Sequence, residues 1–271
     1  MSFLLSLSLA AYFMSGMLSI ANSARRGPEG DVRLFRLPAL GALIIAAAAG
    51  ALWIALRWRE FGHPPFADLY GCFVLLSLCT GAAALLMESA VRVPYLGGLS
   101  SLASAVLLVV GLRFIGNARP LPPALQSAYF APHVVAYFIA YGALTVAGLA
   151  AAALLIARVK AGATAAFSTL AEAFIGRAGR FGFPFLTLGL ALGAFWAQAA
   201  YADWWAWDPK EAWALITWLL VAAWLHLWQS GRRGAATLTL LVVAVGAMYF
   251  TLFGVDFLPT AEQSLHTYTR P

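Results

Sequence analysis

Charged residues are scarce in this sequence, and their scarcity excludes a water-soluble protein. Only 10% of the 271 residues are charged and 62% are hydrophobic, whereas soluble domains usually carry about 25% charged residues. So few charges cannot cover a soluble surface, and we therefore predict an all-α, polytopic membrane helix bundle. The net charge is +6, but the sequence has no basic stripe with interleaved aromatic residues, which excludes nucleic acid as a partner.

Cysteine is almost absent, which excludes a disulfide framework. The two cysteines, Cys72 and Cys79, lie seven residues apart within one apolar run. On a helix this separation is about 10.5 Å, too far for a disulfide, and the pair does not have the CxxC spacing of redox proteins. We expect two buried thiols that act as small apolar side chains.

Apolar stretches long enough to cross a membrane recur along the whole chain. Each has roughly the 17–25 residues that a helix needs to span about 30 Å of hydrocarbon. We predict a single integral membrane domain over residues 1–271, with about eight transmembrane helices and a tryptophan-rich loop on the outer side. The predicted spans are 3–21, 38–56, 69–86, 96–112, 132–157, 181–200, 209–228 and 235–253.

The distribution of lysine and arginine between alternate loops predicts the orientation of the bundle. One set of loops holds eleven of the 17 basic residues and the other set holds six. Because the richer set lies on the cytoplasmic side, both termini and the loop at 204–208 are expected on the periplasmic side of the cytoplasmic (inner) membrane. The first span is expected to be retained, because Arg25 and Arg26 follow it rather than precede it.

A short amphipathic pattern precedes the sixth span. Its apolar side chains recur at helical spacing and predict a separate helix that lies on the cytoplasmic membrane interface. These side chains are Phe167, Leu170, Ala171, Phe174 and Ile175.

The densest group of aromatic residues lies just before the seventh span. One interpretation of this group is an aromatic belt at the membrane surface. Belts are usually scattered, however, and a concentrated apolar surface with a carboxylate at its edge fits a flat macrocycle. The residues of this predicted platform are Tyr201, Trp204, Trp205, Trp207 and Asp208.

Helix-capping residues follow the aromatic group. Asp208 suits the N-cap position, Pro209 suits the first helical position, and Glu211 lies where its carboxylate closes a capping box. The pattern predicts that the seventh helix begins at this point.

Of the four histidines in the sequence, two are predicted to lie on the same side as the tryptophan loop. His133 opens the fifth span, and His266 follows the eighth span. Two neutral imidazoles that approach from opposite sides are what a six-coordinate heme iron requires, so we interpret this pair as axial ligands. The alternative for each histidine is an ordinary polar contact.

The other two histidines each leave two interpretations open. His226 lies 17 residues beyond Pro209, which is about 25 Å along a helix and places it in the cytoplasmic half of the membrane. It either hydrogen-bonds a neighbouring helix or ligates a second heme. His63 follows the second span and is interpreted as an interface residue, with a third outer ligand as the alternative.

The segment between the sixth and seventh spans resembles a known signature. Residues 193–213, which read GAFWAQAAYADWWAWDPKEAW, resemble the WWD signature of heme-handling proteins, and 215–219 continue the resemblance. Over roughly residues 60–271 the chain is similar to the CcsA family, also called ResC, of the System II cytochrome c synthase. The stretch 64–70 resembles the Pro-x-x-Asn-x-Tyr segment of that family, with Asp68 at the asparagine position.

The chain departs from the family at one end of the signature. It has Tyr201-Ala202 where the family usually has Trp-Gly. Tyrosine keeps an aromatic ring in the platform. Alanine, however, adopts the left-handed backbone conformation of a glycine turn less readily than glycine does.

The resemblance implies an enzyme, a holocytochrome c synthase (heme lyase) subunit that binds heme b. It implies that His133 and His266 ligate the iron of an outer heme and that the tryptophan loop holds the macrocycle. It also implies that His226 is half of a transmembrane heme site. Additional candidates for the site are His63, Trp196 and Glu211.

The resemblance also implies partners. The mate of His226 would come from a CcsB- or ResB-like membrane subunit, and the CXXCH motif of apocytochrome c would receive the heme through thioether bonds. A thioredoxin-like thiol reductase would serve the same maturation pathway. One rival interpretation is a heme carrier or exporter of the CcmC type, which would have six spans and no intramembrane histidine. A second rival is a membrane scaffold with a plain aromatic belt.

Overall fold

The computed structural model describes residues 2–24, 35–115, 121–160 and 164–258, and these residues are mostly helical. Eight of its helices are long and apolar enough to cross a membrane, which confirms the predicted all-α bundle of an integral membrane protein. They are α1 Ser2–Ala24, α2 Arg36–Phe61, α3 Leu69–Val91, α4 Pro94–Gly111, α5 Phe130–Val159, α6 Ala165–Tyr201, α7 Pro209–Gln229 and α8 Ala235–Tyr249. A π-turn, Phe250–Gly254, and a 3-10 turn, Val255–Phe257, extend α8.

Successive helices run in alternate directions, so the bundle has two distinct ends. At the tryptophan end, α6 finishes and α7 begins, and α2 finishes and α5 begins. At the opposite end, which we call the arginine end, the carboxylate of Glu172 pairs with Arg158 at 2.7 Å and with Arg233 at 3.1 Å. The tryptophan loop and the arginine cluster therefore lie at opposite ends of the bundle.

α5 lies at the centre of the bundle and packs against α3, α4, α6 and α8. Two glycines let its neighbours approach closely. A Cβ atom built at Gly142 of α5 would lie 2.5 Å from the carbonyl carbon of Cys79 in α3, and one built at Gly189 of α6 would lie 2.9 Å from the ring of Tyr137. Because side chains at these positions would force the helices apart, glycine fixes the distances from α5 to both neighbours.

α6 is a single helix of 37 residues, about 55 Å long, and it exceeds the hydrocarbon thickness of a membrane. The predicted separate interfacial helix at 167–175 is therefore wrong, because this segment is the first part of α6. Ala171, Phe174 and Ile175 are fully buried within the protein. The amphipathic pattern identified the buried face correctly but did not show that protein, rather than lipid, covers it.

α3 contains both cysteines, and its N-cap residue, Asp68, stands at the asparagine position of the family that the chain resembles. The carboxylate of Asp68 accepts the backbone N–H of Gly71 at 2.7 Å and caps the helix. Cys72 is buried and Cys79 is half-buried, and the two form no disulfide, as the spacing predicts.

The close approach of α3 and α5 predicts that a larger residue at Gly142 destabilises the protein. Gly142→Ala is expected to lower the free energy of unfolding by about 1–3 kcal/mol, because the new methyl group would overlap the backbone of α3. Gly246→Ala in α8 is the matched control, since nothing lies within 4 Å of a Cβ atom built there. Thermal unfolding in detergent measures both variants, and equal melting temperatures would contradict the packing described.

Candidate functional site

α7 begins with the predicted capping box. The carboxylate of Asp208 accepts the backbone N–H of Lys210 at 2.8 Å, and Asp208 is only 6% exposed. In return, Oε2 of Glu211 accepts the backbone N–H of Asp208 at 3.1 Å. These bonds satisfy N–H groups that the start of a helix otherwise leaves without partners, so the loop ends at a fixed point.

Trp207 has a strained backbone conformation. Its φ angle is +56°, in the left-handed region that residues other than glycine rarely adopt. Oε2 of Glu211 also accepts the N–H of Ala206 at 2.9 Å, so one carboxylate oxygen holds the N–H groups of the residue before and the residue after Trp207. The indole of Trp207 is 71% exposed and meets the ring of Trp205 edge-on at 5.9 Å.

The other two loop tryptophans differ in their surroundings. Trp204 is half exposed and meets Phe195 of α6 edge-on at 5.2 Å. The indole Nε1 of Trp205 is buried and has no hydrogen-bond partner among the described residues. The loop therefore presents exposed apolar rings together with a donor that an oxygen of a bound molecule would satisfy.

α6 ends at the position where the chain departs from the Trp-Gly pair of the family. Ala202 has a φ angle of +60°, and its N–H donates to the carbonyl of Gln198 at 3.0 Å. Alanine therefore makes the left-handed turn that glycine makes more easily, with some strain. The ring of Tyr201 meets Trp196 edge-on at 5.6 Å, so an aromatic side chain remains in the cluster.

His133 lies in the first turn of α5 and reaches across to α6. Its Nδ1 is 2.9 Å from the carbonyl oxygen of Gly189, which can only accept, so Nδ1 carries the proton and donates. The imidazole stacks on Trp196 at 5.8 Å with an 18° angle between the planes, and Tyr137 meets it edge-on at 5.0 Å. A Cβ atom built at Gly193 would lie 2.8 Å from Cε1 of the ring, so this position requires glycine.

Trp196 joins the histidine to the loop. It is buried, it stacks on His133, and it meets Tyr201 edge-on. Its Nε1 donates to the carbonyl of Ala124 at 2.8 Å, which ties the short 3-10 helix Pro123–Gln126 to the same cluster. The structure thus brings together His133, Trp196 and Tyr201 from the predicted set.

Sequence reasoning did not identify the residues that orient His133. Gly189 supplies the carbonyl acceptor and Gly193 supplies the space for the ring. Their spacing in the sequence could have indicated this role, because two glycines four residues apart lie on one face of a helix and allow another helix to pack closely there.

A buried ion pair anchors the base of α7 to the end of α8. Nζ of Lys210 lies 3.4 Å from Oδ1 of Asp256, with side-chain exposures of 13% and 6%. One turn further along α7, the rings of Trp213 and Phe250 are 4.4 Å apart. Neither the ion pair nor this ring contact was predicted, because both depend on how α7 and α8 pack.

Two of the remaining histidines make no ring contact or hydrogen bond with this cluster among the described residues, and the third lies outside them. His63 follows α2, stacks on Phe61 at 5.9 Å, and its Nδ1 lies 3.1 Å from the carbonyl of Pro64. His226 lies near the arginine end of α7, exposed on the face that also presents Leu219 and Ala223. His266 falls outside the described residues.

These features define a class of protein. It is a polytopic helical membrane protein in which a tryptophan-rich loop between two spans adjoins an oriented histidine. Comparison with known proteins names the family within this class. Residues 66–261 match the family described as Cytochrome C assembly protein. The chain therefore belongs to the cytochrome c assembly family, and the resemblance to CcsA is confirmed.

Relatives named cytochrome c biogenesis protein CcsA are similar over most of the chain. The protein from Chlamydomonas reinhardtii is 31% identical over 80% of this chain, which spans 64% of that protein. The protein from Synechococcus elongatus is 31% identical over 86% of this chain, which spans 88% of that protein. Among solved structures, the cytochrome c heme lyase CcmF has the same fold, with a TM-score of 0.62 at 20% identity. The match covers 97% of this chain and about half (51%) of that one.

The turn at the end of α6 leads to a second stability prediction. Ala202→Gly is expected to raise the free energy of unfolding by roughly 1 kcal/mol, because glycine adopts the left-handed conformation without Cβ strain. Ala206→Gly in the same loop is the matched control, because Ala206 does not have a positive φ angle. A melting temperature that falls equally in both variants would show that Ala202 is not strained.

Proposed function

We propose that this protein presents heme to apocytochrome c as a subunit of a cytochrome c synthase. The observation that carries the proposal is the oriented imidazole of His133, fixed by the carbonyl of Gly189 and stacked on Trp196 beside the tryptophan loop. Membership of the cytochrome c assembly family supports the pathway, since its relatives bear the name of cytochrome c biogenesis proteins.

The hydrogen bond to Gly189 prepares His133 for iron. Because Nδ1 donates its proton to a backbone carbonyl, the neutral ring carries its lone pair on Nε2. Histidines that ligate metals usually have this arrangement, which fixes the tautomer and raises the basicity of the ligating nitrogen. The stacking contact with Trp196 restricts rotation of the ring.

The tryptophan loop has the features that a heme macrocycle needs. Exposed indoles at Trp204 and Trp207 offer flat apolar surface. The buried Nε1 of Trp205 is a donor for a propionate oxygen. Asp208, which caps α7, and Tyr201, which packs on Trp196, hold the two ends of the platform. These residues fit heme b, and in the proposal they hold it with one edge exposed.

The second axial ligand in this proposal is His266. The Lys210–Asp256 ion pair anchors the chain ten residues before it, beside the base of the tryptophan loop. Ten residues span at most about 33–36 Å, which is sufficient to reach a heme on the loop. With two imidazoles the iron would be six-coordinate.

The bound heme supplies vinyl groups, to which the thiols of a CXXCH motif add with formation of C–S bonds and transfer of the thiol protons to the vinyl carbons. The contribution of this chain is orientation and proximity. His133 and the loop would hold the macrocycle, and apocytochrome c would dock at the edge that they leave exposed.

Charge supports an orientation with the tryptophan end on the periplasmic side of the cytoplasmic membrane. The arginine end has an excess of cations, because Glu172 pairs with Arg158 and Arg233 while Arg177, Arg180 and Arg232 are exposed there. Clusters of this kind remain on the cytoplasmic side of membranes.

His226 is proposed as half of a second, transmembrane heme site. It lies on an outward face of α7, with Ala223 one turn and Leu219 two turns closer to the tryptophan end. An imidazole that faced lipid would be unfavourable, so a partner helix that covered this face would remove the cost. We propose that the partner is a CcsB-like subunit that supplies the second imidazole. A thioredoxin-like thiol reductase would keep the thiols of apocytochrome c reduced.

Two features favour a synthase over a heme carrier of the CcmC type. The described residues contain eight helices long and apolar enough to span a membrane, and α7 carries a histidine in its last turn. A carrier of the CcmC type is expected to have six spans and no histidine at this position.

The outer ligands are tested by substitution. His133→Ala and His266→Ala are each expected to change the axial ligation of bound heme and to reduce cytochrome c maturation by about tenfold or more. Added imidazole should restore maturation, because it replaces the lost ligand. Visible spectra and holocytochrome yield are the measurements.

His63→Ala is the matched control for these substitutions, since His63 lies at the same end but stacks on Phe61 outside the cluster. It should leave the spectrum unchanged. Normal spectra and normal maturation in both His133→Ala and His266→Ala would refute the ligand assignment.

The transmembrane site is tested in the complex with the partner. The chain alone is expected to bind heme only at the tryptophan end, and the complex is expected to contain a second heme. His226→Ala should remove that heme alone, whereas Leu219→Ala on the same face should retain it. Heme content per complex is the measurement, and an unchanged content in His226→Ala would exclude this histidine as a ligand.

A further inference from the structure

We propose that Glu211 is a positioning residue for Trp207, holding its backbone in the left-handed conformation so that the indole faces the heme. This inference rests on the proposed function, because it assigns Trp207 to the heme platform.

The hydrogen bonds of Glu211 go beyond those of a helix cap. A capping box requires one bond, from the side chain at the third helical position to the N–H of the N-cap residue, here Asp208. The same oxygen accepts a second N–H, from Ala206 at 2.9 Å. Ala206 lies five residues before Glu211 and outside the helix, so this bond does not serve to cap α7.

The two bonds enclose Trp207. The N–H groups of the neighbouring residues Ala206 and Asp208 converge on one carboxylate oxygen, which forces the chain between them into a tight turn. Trp207 occupies the middle of the turn with a φ angle of +56°. A tryptophan remains in this conformation only where its surroundings hold it there. Without the carboxylate, the backbone would relax to an extended conformation and the exposed indole would turn away.

The carboxylate is itself held in place. Lys210, the neighbour of Glu211, pairs with Asp256 beyond the end of α8, and Trp213 packs on Phe250 one turn later. The first turn of α7 is thus fixed against α8. Because Glu211 belongs to this fixed turn, its hydrogen bonds to Ala206 and Asp208 hold the loop in place relative to α8.

Two matched substitutions separate a positioning role from a role of the negative charge. Glu211→Gln removes the charge but keeps a carbonyl acceptor, and glutamine is accepted in capping boxes. Glu211→Asp keeps the charge, but its side chain is one methylene shorter and cannot reach both N–H groups. We expect heme affinity close to wild type in Glu211→Gln and a loss of about tenfold in Glu211→Asp. The reverse order would overturn the proposal, since it would show that the charge acts on the heme.

A double-mutant cycle tests whether Glu211 acts through Trp207. If it does, Glu211→Asp should weaken heme binding in the wild-type background and have no further effect in Trp207→Ala. Additive losses would overturn the proposal. Glu60→Asp is the control, because Glu60 is an exposed carboxylate at the same end of the bundle. It should leave heme affinity unchanged.

The experiment uses the full chain in detergent, with heme affinity and the visible spectrum as readouts. Wild-type protein that binds no heme would refute the proposed function. Wild-type protein that binds heme, together with additive or reversed effects at Glu211, would refute only the inference about Glu211.

Discussion

The close contact between α5 and α6 is the constraint on which the site depends. The rings of Tyr137 and His133 on α5 lie so close to the backbone of α6 that a side chain would collide with them, and α6 has glycine at both places, Gly189 and Gly193. The contact lets the imidazole of His133 lie against α6, with Nδ1 bonded to the carbonyl of Gly189 and the ring stacked on Trp196. One packing interface therefore sets the tautomer, the orientation and the neighbours of the proposed ligand.

The loop is connected to this histidine through Trp196 and Tyr201, and both of its ends have a strained backbone. Ala202 closes α6 in a left-handed turn, and Trp207 adopts the same conformation just before α7. Glu211 holds the second turn, and the Lys210–Asp256 ion pair fixes the helix that carries Glu211. Strain of this kind usually persists at functional sites, where a fixed geometry lowers the cost of binding a rigid ligand.

The parts of the structure that could be predicted are those that local signals specify. Apolar length predicted the eight spans, and Asp208 with Glu211 predicted the start of α7, because capping depends on residues three positions apart. The bond from His133 to Gly189 joins residues 56 positions apart, and no local pattern encodes it. The interfacial helix at 167–175 was wrong because an amphipathic pattern does not distinguish burial by lipid from burial by protein.

The central claim is that heme lies on the tryptophan loop with two histidine ligands. The most direct measurement is the visible and electron paramagnetic resonance spectrum of the wild-type chain purified alone, with its heme content. The account predicts a low-spin iron with two imidazole ligands. A colourless protein, or a heme whose ligation is the same in wild type and in the double variant His133→Ala, His266→Ala, would contradict it.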